Sequence, residues 1–250
     1  MDYPTFFNTK NSLKLFGLDK NFKFLSDLYL KKKLPKVLMF SGNKGSGKST
    51  LINHFLYSIY DKKNYDKNSY TLSSPSIFFN QFKNDTYPNI IYIHGSDFKS
   101  VKVDDIRDLK KKIFQSTILN QDRFIILDDV ELFNKNSLNS LLKIIEEPTK
   151  NIFFFLINNK STPILETVKS RSIEIKIILN ESQRIEIIKN LLRIYQLELI
   201  LDPISSQLSP GNFVKFNYLC LENKINLLND LNENFKIFLN LYKKNKDMLF

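Results

Sequence analysis

The residues from Gly42 to Ser49, Gly-Asn-Lys-Gly-Ser-Gly-Lys-Ser, satisfy the P-loop pattern Gly-x-x-x-x-Gly-Lys-Ser/Thr without a fault. Each residue type answers a demand set by a triphosphate. Glycines permit backbone angles that turn successive N–H groups inward, making a nest for phosphate oxygens. Lys48 can reach the terminal phosphates, and the Ser49 hydroxyl can take a place on Mg²⁺. The stretch Gly42, Asn43, Lys44, Gly45, Ser46, Gly47, Lys48, Ser49 and Thr50 is therefore the candidate cradle for a nucleotide. Such a loop needs a second carboxylate for the metal shell, at the end of an apolar strand expected beside the strand that feeds the loop. Phe124-Ile-Ile-Leu-Asp128 supplies one. Asp128 is the candidate for orienting metal-bound water. Asp129 stands where a hydrolytic enzyme of this type places the base that aligns the attacking water.

These groups must be held by elements, and the chain supplies them in order. Val37-Leu-Met-Phe-Ser41 reads as a short buried strand, and Ser49 to Tyr60 as a helix with apolar residues near period 3.6. A strand, a glycine loop and a helix N-terminus together form an anion site. The polar stretch Asp61 to Tyr87, rich in Asn, Lys, Ser and Tyr, reads as a loop or irregular insertion. Ile90 to His94 is the next strand, followed by an amphipathic helix, Val103 to Phe114, with Val103, Ile106, Leu109 and Ile113 on one face. Arg123 to Asp128 is a buried strand ending in acid. A helix over Ser137 to Ile145 is stopped by Pro148, and Ile152 to Ile157 is apolar throughout, as a central strand covered on both faces should be. Ile173 to Ile177 supplies a last strand. Strands alternating with helices predict an α/β fold with a central parallel sheet.

From Glu181 onward only helices are predicted. The first carries Ile185, Ile188, Leu191, Leu192 and Tyr195 on one face, with Asn180 or Ser182 as cap. A turn at Ser209-Pro-Gly211 precedes the next. The expected division is a nucleotide-binding domain over 1–177, a small all-helical lid over 178–216 and a short helical segment over 217–250. In the last, Leu228, Leu231, Phe235, Phe238 and Tyr242 recur at near-heptad spacing. That stripe is either an assembly surface or a face that packs back on the lid.

Composition bounds the remaining choices. The chain has 250 residues, no apolar run long enough to span a bilayer and no secretory charge-then-apolar start, so a cytoplasmic, non-membrane protein is expected. The lone Cys220 leaves neither an internal disulfide nor a cysteine cluster for zinc. Lys and Arg exceed Asp and Glu by 37 to 26, a net charge of +11. The excess fits attraction to a polyanion such as DNA. It fits AT-rich coding equally well, because alanine and tryptophan are absent and the positive charges are scattered.

The run Leu127-Asp-Asp-Val-Glu-Leu-Phe, continuing to Leu141-Leu-Lys-Ile-Ile-Glu-Glu-Pro148, resembles the AAA+ ATPase core of bacterial clamp-loader subunits. Ser170-Arg-Ser172 resembles that family's Ser-Arg-Cys motif. Leu34 to Gly42, Pro88 to Ile93 and Val103 to Arg107 fit its other landmarks, so the likeness covers roughly residues 10 to 215. It is strongest to the delta-prime branch, since the cysteine-rich zinc module and the Asp-Glu strand end of the ATP-hydrolysing subunits are both missing. The resemblance implies ATP and Mg²⁺ as cofactors without zinc. It also implies gamma/tau and delta subunits, a sliding clamp and primed DNA as partners in loading the clamp for the replicative polymerase. Arg171 would be an arginine finger serving a neighbour's ATP, and Asn158 or Asn159 the sensor of the terminal phosphate. Considered alone, Arg171 would be a surface salt bridge, and either asparagine a strand-end turn residue. Asp129, one methylene shorter than the family's usual Glu, reaches about 1 Å less toward the attacking water. Gly211 falls where active members carry a second sensing arginine. The expected behaviour is nucleotide binding with slow or absent hydrolysis. The rival readings are an autonomous P-loop ATPase and a purely structural subunit. The family's helical collar has little chain left to it here, so it is either much reduced or truncated.

Overall fold

Period-two alternation along three apolar strands creates two separate cores, one on each face of a sheet. On one face lie Leu38, Phe40, Phe124, Ile126, Phe153, Phe155 and Ile157. On the other lie Val37, Met39, Ile125, Leu127, Ile152, Phe154 and Leu156. Successive side chains of a strand point to opposite faces, so strands this apolar must be covered on both. The computed structural model describes residues 4–73, 76–95, 111, 113, 121–146, 151–225, 236, 239, 240 and 243. They divide between two compact units, Thr9–Leu179 and Met1–Asn8 with Asn180–Phe250.

The first unit contains α1 (Asp19–Leu30), β1 (Val37–Ser41), α2 (Lys48–Tyr60), β2 (Tyr65–Asp66), β3 (Thr71–Leu72), α3 (Ile77–Lys83), β4 (Ile90–His94) and β5 (Arg123–Asp128). It continues with α4 (Lys135–Glu146), β6 (Ile152–Asn158), α5 (Glu166–Lys169) and β7 (Ile173–Lys176). The main sheet has five strands in the order β4-β5-β6-β1-β7, and every pair is parallel. The α/β fold with a central parallel sheet is therefore as anticipated. One expectation fails. The acidic strand β5 does not lie beside β1, because β6 is inserted between them. An all-buried strand of seven residues, Ile152–Asn158, is the most apolar of the set and takes the centre. Register still brings the functional ends level: Leu127 and Met39 both pair with Leu156, and Ser41 pairs with Asn158. The C-terminal ends of β1, β5 and β6 thus share one edge of the sheet.

The Asp61 to Tyr87 stretch is not a loop. It holds the antiparallel pair β2–β3 and the helix α3. Ser76 caps α3 by accepting from Phe79 N at 3.0 Å, and Phe78, Phe79 and Phe82 bury against Tyr57. The many polar residues around three phenylalanines hid a short helix whose apolar face is aromatic. Helix α1 was likewise not anticipated. The predicted helix over Val103 to Phe114 lies outside the described residues except for Lys111 and Ile113, and so does the Leu228, Leu231, Phe235, Phe238 and Tyr242 stripe.

In the second unit α6 (Glu181–Tyr195) and α7 (Pro210–Glu222) pack through Ile188, Leu192, Phe213 and Val214. Of the two candidate caps, Asn180 is the one used: its side chain accepts from Gln183 N at 2.8 Å, and Gln183 Oε1 accepts from Asn180 N at 3.1 Å. The reciprocal pair satisfies two otherwise orphaned helix N–H groups. Among the described residues no helix is long and apolar enough to cross a membrane.

Candidate nucleotide-binding site

The loop between β1 and α2 depends on glycine for its path, as Gly47 and Gly42 show. Gly47, the residue before α2, has φ 91°, a left-handed value that side chains disfavour. At Gly42 an added Cβ would come within 2.6 Å of the Ile177 carbonyl oxygen, so the backbone passes too closely for any side chain. Within this loop Lys48 Nζ donates to the carbonyl oxygens of Gly42 at 2.7 Å and Asn43 at 2.8 Å. Burial lowers the Lys48 pKa to about 8, against the opposing pull of three carboxylates, Asp128, Glu131 and Asp129. A buried ammonium facing three carboxylates across a glycine loop is a place where anionic oxygen and a cation can both be held.

Each of those carboxylates is oriented. Asp128 Oδ2 accepts from the Tyr92 hydroxyl at 2.7 Å, and its Oδ1 accepts from Asp129 N at 2.9 Å. Burial raises the Asp128 pKa. The Tyr92 hydrogen bond opposes that shift, the Asp129 charge adds to it, and His94 opposes it. Asp129 sits in the left-handed region, with φ 50°. Its Oδ1 accepts from Asn159 Nδ2 at 2.5 Å, and its Oδ2 lies 4.0 Å from Lys44 Nζ. Glu131 Oε1 gathers the turn after β6, accepting from Asn159 N at 2.9 Å and Ser161 Oγ at 2.9 Å. Its other oxygen is buried without a hydrogen-bond partner.

Of the two asparagines left open as sensor, Asn158 is buried at the end of β6. Its side-chain oxygen accepts from Lys160 N at 2.8 Å, and its backbone oxygen accepts from Gly42 N at 3.2 Å. Asn159 is the one whose amide group reaches a carboxylate of the cluster. Arg171 follows α5, and its partners are not members of the Lys48 cluster. Its Nε donates to Glu146 Oε1 at 2.6 Å, and its Nη1 donates to Thr167 O at 3.1 Å and Ser170 Oγ at 3.2 Å. In this chain taken by itself, then, Arg171 makes a surface ion pair. Tyr92, Asn159 and Glu131 complete the cluster. Asn159 was one of two alternatives in the sequence, while a tyrosine in a strand and a glutamate three residues after an acidic strand end carry no distinguishing signal.

The donor set suits a hard cation. Ser49 and Asp128 offer oxygen only. Among the described residues no group of three or more His, Cys, Asp or Glu side chains could hold a metal by itself. A cation here would take its remaining ligands from phosphate and water, as Mg²⁺ characteristically does.

Comparison with known proteins agrees with the motifs. The profile of the family described as DNA polymerase III, delta subunit, matches residues 17–180, well over half of the chain. A DNA polymerase III subunit delta' of Buchnera aphidicola subsp. Baizongia pistaciae is 36% identical over 75 residues, 30% of this chain and 22% of that protein. The subunit delta' of Pseudomonas aeruginosa is 31% identical over 90 residues, 36% of this chain and 27% of that protein. The matched stretch thus spans about a quarter of each of these relatives. Among solved structures, a variant of RuvB from Thermotoga maritima is 15% identical at a TM-score of 0.48, covering 83% of this chain and 63% of that one. That overlap is too loose to add to what the strand order already shows.

Proposed function

Because this chain belongs to the DNA polymerase III delta-subunit family, the clamp-loader line of AAA+ proteins that its motifs resemble, we propose that it binds ATP at Gly42–Thr50 and lends Arg171 to a neighbour's ATP. Gamma/tau and delta subunits, a sliding clamp and primed DNA are the partners this reading calls for, with a nucleotide domain over 1–177, a lid over 178–216 and a helical segment beyond. The observation that carries it is the Lys48 ammonium, pinned by the Gly42 and Asn43 carbonyls and facing Asp128, Glu131 and Asp129. Phosphate oxygens entering the loop replace those carbonyls as partners of Lys48, and the first-turn N–H groups of α2 face the same charge. Mg²⁺, held by Ser49 and through water by Asp128, would neutralise phosphate charge.

Two features favour holding nucleotide over consuming it. Asp129 is short, and its carboxylate is already engaged by Asn159 and near Lys44. A base so occupied has less freedom to align water. Arg171 is suited to act outward. Its ion pair with Glu146 is exposed, with 36% and 44% of the two side chains accessible, and exposed pairs are worth at most about 1 kcal/mol. Transfer of the guanidinium to a phosphate on a neighbour therefore costs little.

The test has two arms. Lys48→Ala should abolish binding of ATP to the isolated chain by calorimetry; unchanged affinity would show the loop to be vestigial. Arg171→Ala should sharply reduce the DNA-stimulated ATPase of the reconstituted complex while leaving assembly intact. Unaltered turnover would remove the finger role.

A further inference from the structure

The turn that follows β6 holds a lysine in a conformation that lysine seldom takes. Lys160 has φ 58°, in the left-handed region that glycine and asparagine enter far more readily. A residue of another type stays there only where its surroundings over-determine it. Here they do. The Lys160 N–H donates to Asn158 Oδ1 at 2.8 Å, and Asn158 O accepts from Gly42 N, the first residue of the loop, at 3.2 Å. On either side of Lys160, Asn159 N and Ser161 N donate to Glu131 Oε1 at 2.9 and 3.2 Å, and the Ser161 hydroxyl joins them at 2.9 Å. Thr162 Oγ1 closes the turn by donating to Glu131 O at 3.1 Å.

A turn fixed in this way borders the phosphate loop. Asn159, directly before Lys160, reaches Asp129 Oδ1 at 2.5 Å, and the other oxygen of Asp129 lies 4.0 Å from Lys44 Nζ of the loop. Lys160 itself is exposed and, among the described residues, has no ion-pair partner. Its charge is felt in the loop: burial is the main cause of the lowered Lys48 pKa, and Lys160 adds to it. The lysines of the loop stand differently. Lys48 is tied to the Gly42 and Asn43 carbonyls and Lys44 stands beside Asp129, whereas the Lys160 ammonium ends a flexible stem on a rigid base. We propose that Lys160 is a second cation for the terminal phosphate, reaching in from the turn after β6 and favouring a triphosphate over a diphosphate at Gly42–Thr50. Backbone N–H groups of the loop cradle the inner phosphates, so only a ligand that carries the outermost one gains from Lys160. The role rests on the reading of Gly42–Thr50 as a nucleotide site.

The experiment measures the affinity of the full chain for ATP and for ADP by calorimetry at low ionic strength, before and after Lys160→Asn. Asparagine keeps the left-handed turn and removes the charge. Affinity for ATP should fall about fivefold, as expected for one exposed charge pair, and affinity for ADP by less than about twofold. A loss for ATP that does not exceed the loss for ADP overturns the proposal, since a merely structural turn would move both nucleotides together. Lys160→Arg keeps the charge and should keep the preference for ATP; a preference lost there overturns the proposal as well. Should Lys160→Asn fold poorly, Lys160→Gly adopts the same backbone most readily and carries the same expectation. Binding of ATP that survives Lys48→Ala would instead sink the nucleotide site itself, whatever Lys160→Asn does, so the two failures are told apart.

Discussion

His54 shows at the scale of a residue what burial does to chemistry in this protein. It lies on α2, five residues beyond Ser49, fully buried, with Nδ1 3.1 Å from the Tyr65 hydroxyl and Nε2 without a hydrogen-bond partner. Burial lowers its pKa from 6.5 to about 3, so it is neutral and structural. The sign of the resulting pH dependence is fixed. Between pH 6.5 and about 3 the unfolded chain takes up a proton that the folded chain refuses, so stability falls as pH falls through that window. His54→Gln should flatten the acid limb, by up to about 1.4 kcal/mol per pH unit, when urea unfolding is followed from pH 7 to pH 4.5. An unchanged slope would assign the acid sensitivity to other groups. In the sequence His54 is simply one residue of the helix expected over Ser49 to Tyr60. Its identity was readable, but its environment was not, because Tyr65 belongs to a strand the polar composition concealed.

Elements were legible in proportion to how local their signals were. β1, β4 and β5 lie where apolar runs place them, and β6 extends one residue past its predicted end. The α6 start was narrowed to two caps, and the reciprocal Asn180–Gln183 bonds choose between them. Asn180→Ala should therefore cost about 1 kcal/mol in chemical denaturation, and Asn180→Gly only a few tenths. Equal losses would mean that the lost side-chain acceptor, which both variants lack, accounts for the whole effect. α3 was missed for a physical reason. Its stability comes from Phe78, Phe79 and Phe82 packing on Tyr57, more than twenty residues earlier in the chain, while its own sequence is too short for a helical period to register.

For the whole molecule, the N-terminal residues belong with the C-terminal helices. Phe6 stacks on Tyr195 with ring centroids 4.5 Å apart, and Phe7 meets Tyr218 at 5.3 Å. Aromatic pairs of this kind contribute about 0.5–1.5 kcal/mol each beyond their burial. Replacing both phenylalanines by serine should thus accelerate limited proteolysis in the connection between α6 and α7 while sparing the sheet unit; cleavage at the original rate would deny them that role. By itself the sequence determined the chemistry of the loop and the identity of the main strands. A phosphate cradle needs only eight consecutive residues, and a buried strand is an apolar run. Tertiary structure alone decided that β6 separates the acidic strand from the loop strand, and that Arg171 rests on Glu146. It alone also decided that the Tyr92 hydroxyl donates to Asp128. Tyr92 and Asp128 are 36 residues apart, Glu146 and Arg171 25. No local propensity connects such positions; only the parallel register of the sheet and the packing over it bring them within hydrogen-bond distance.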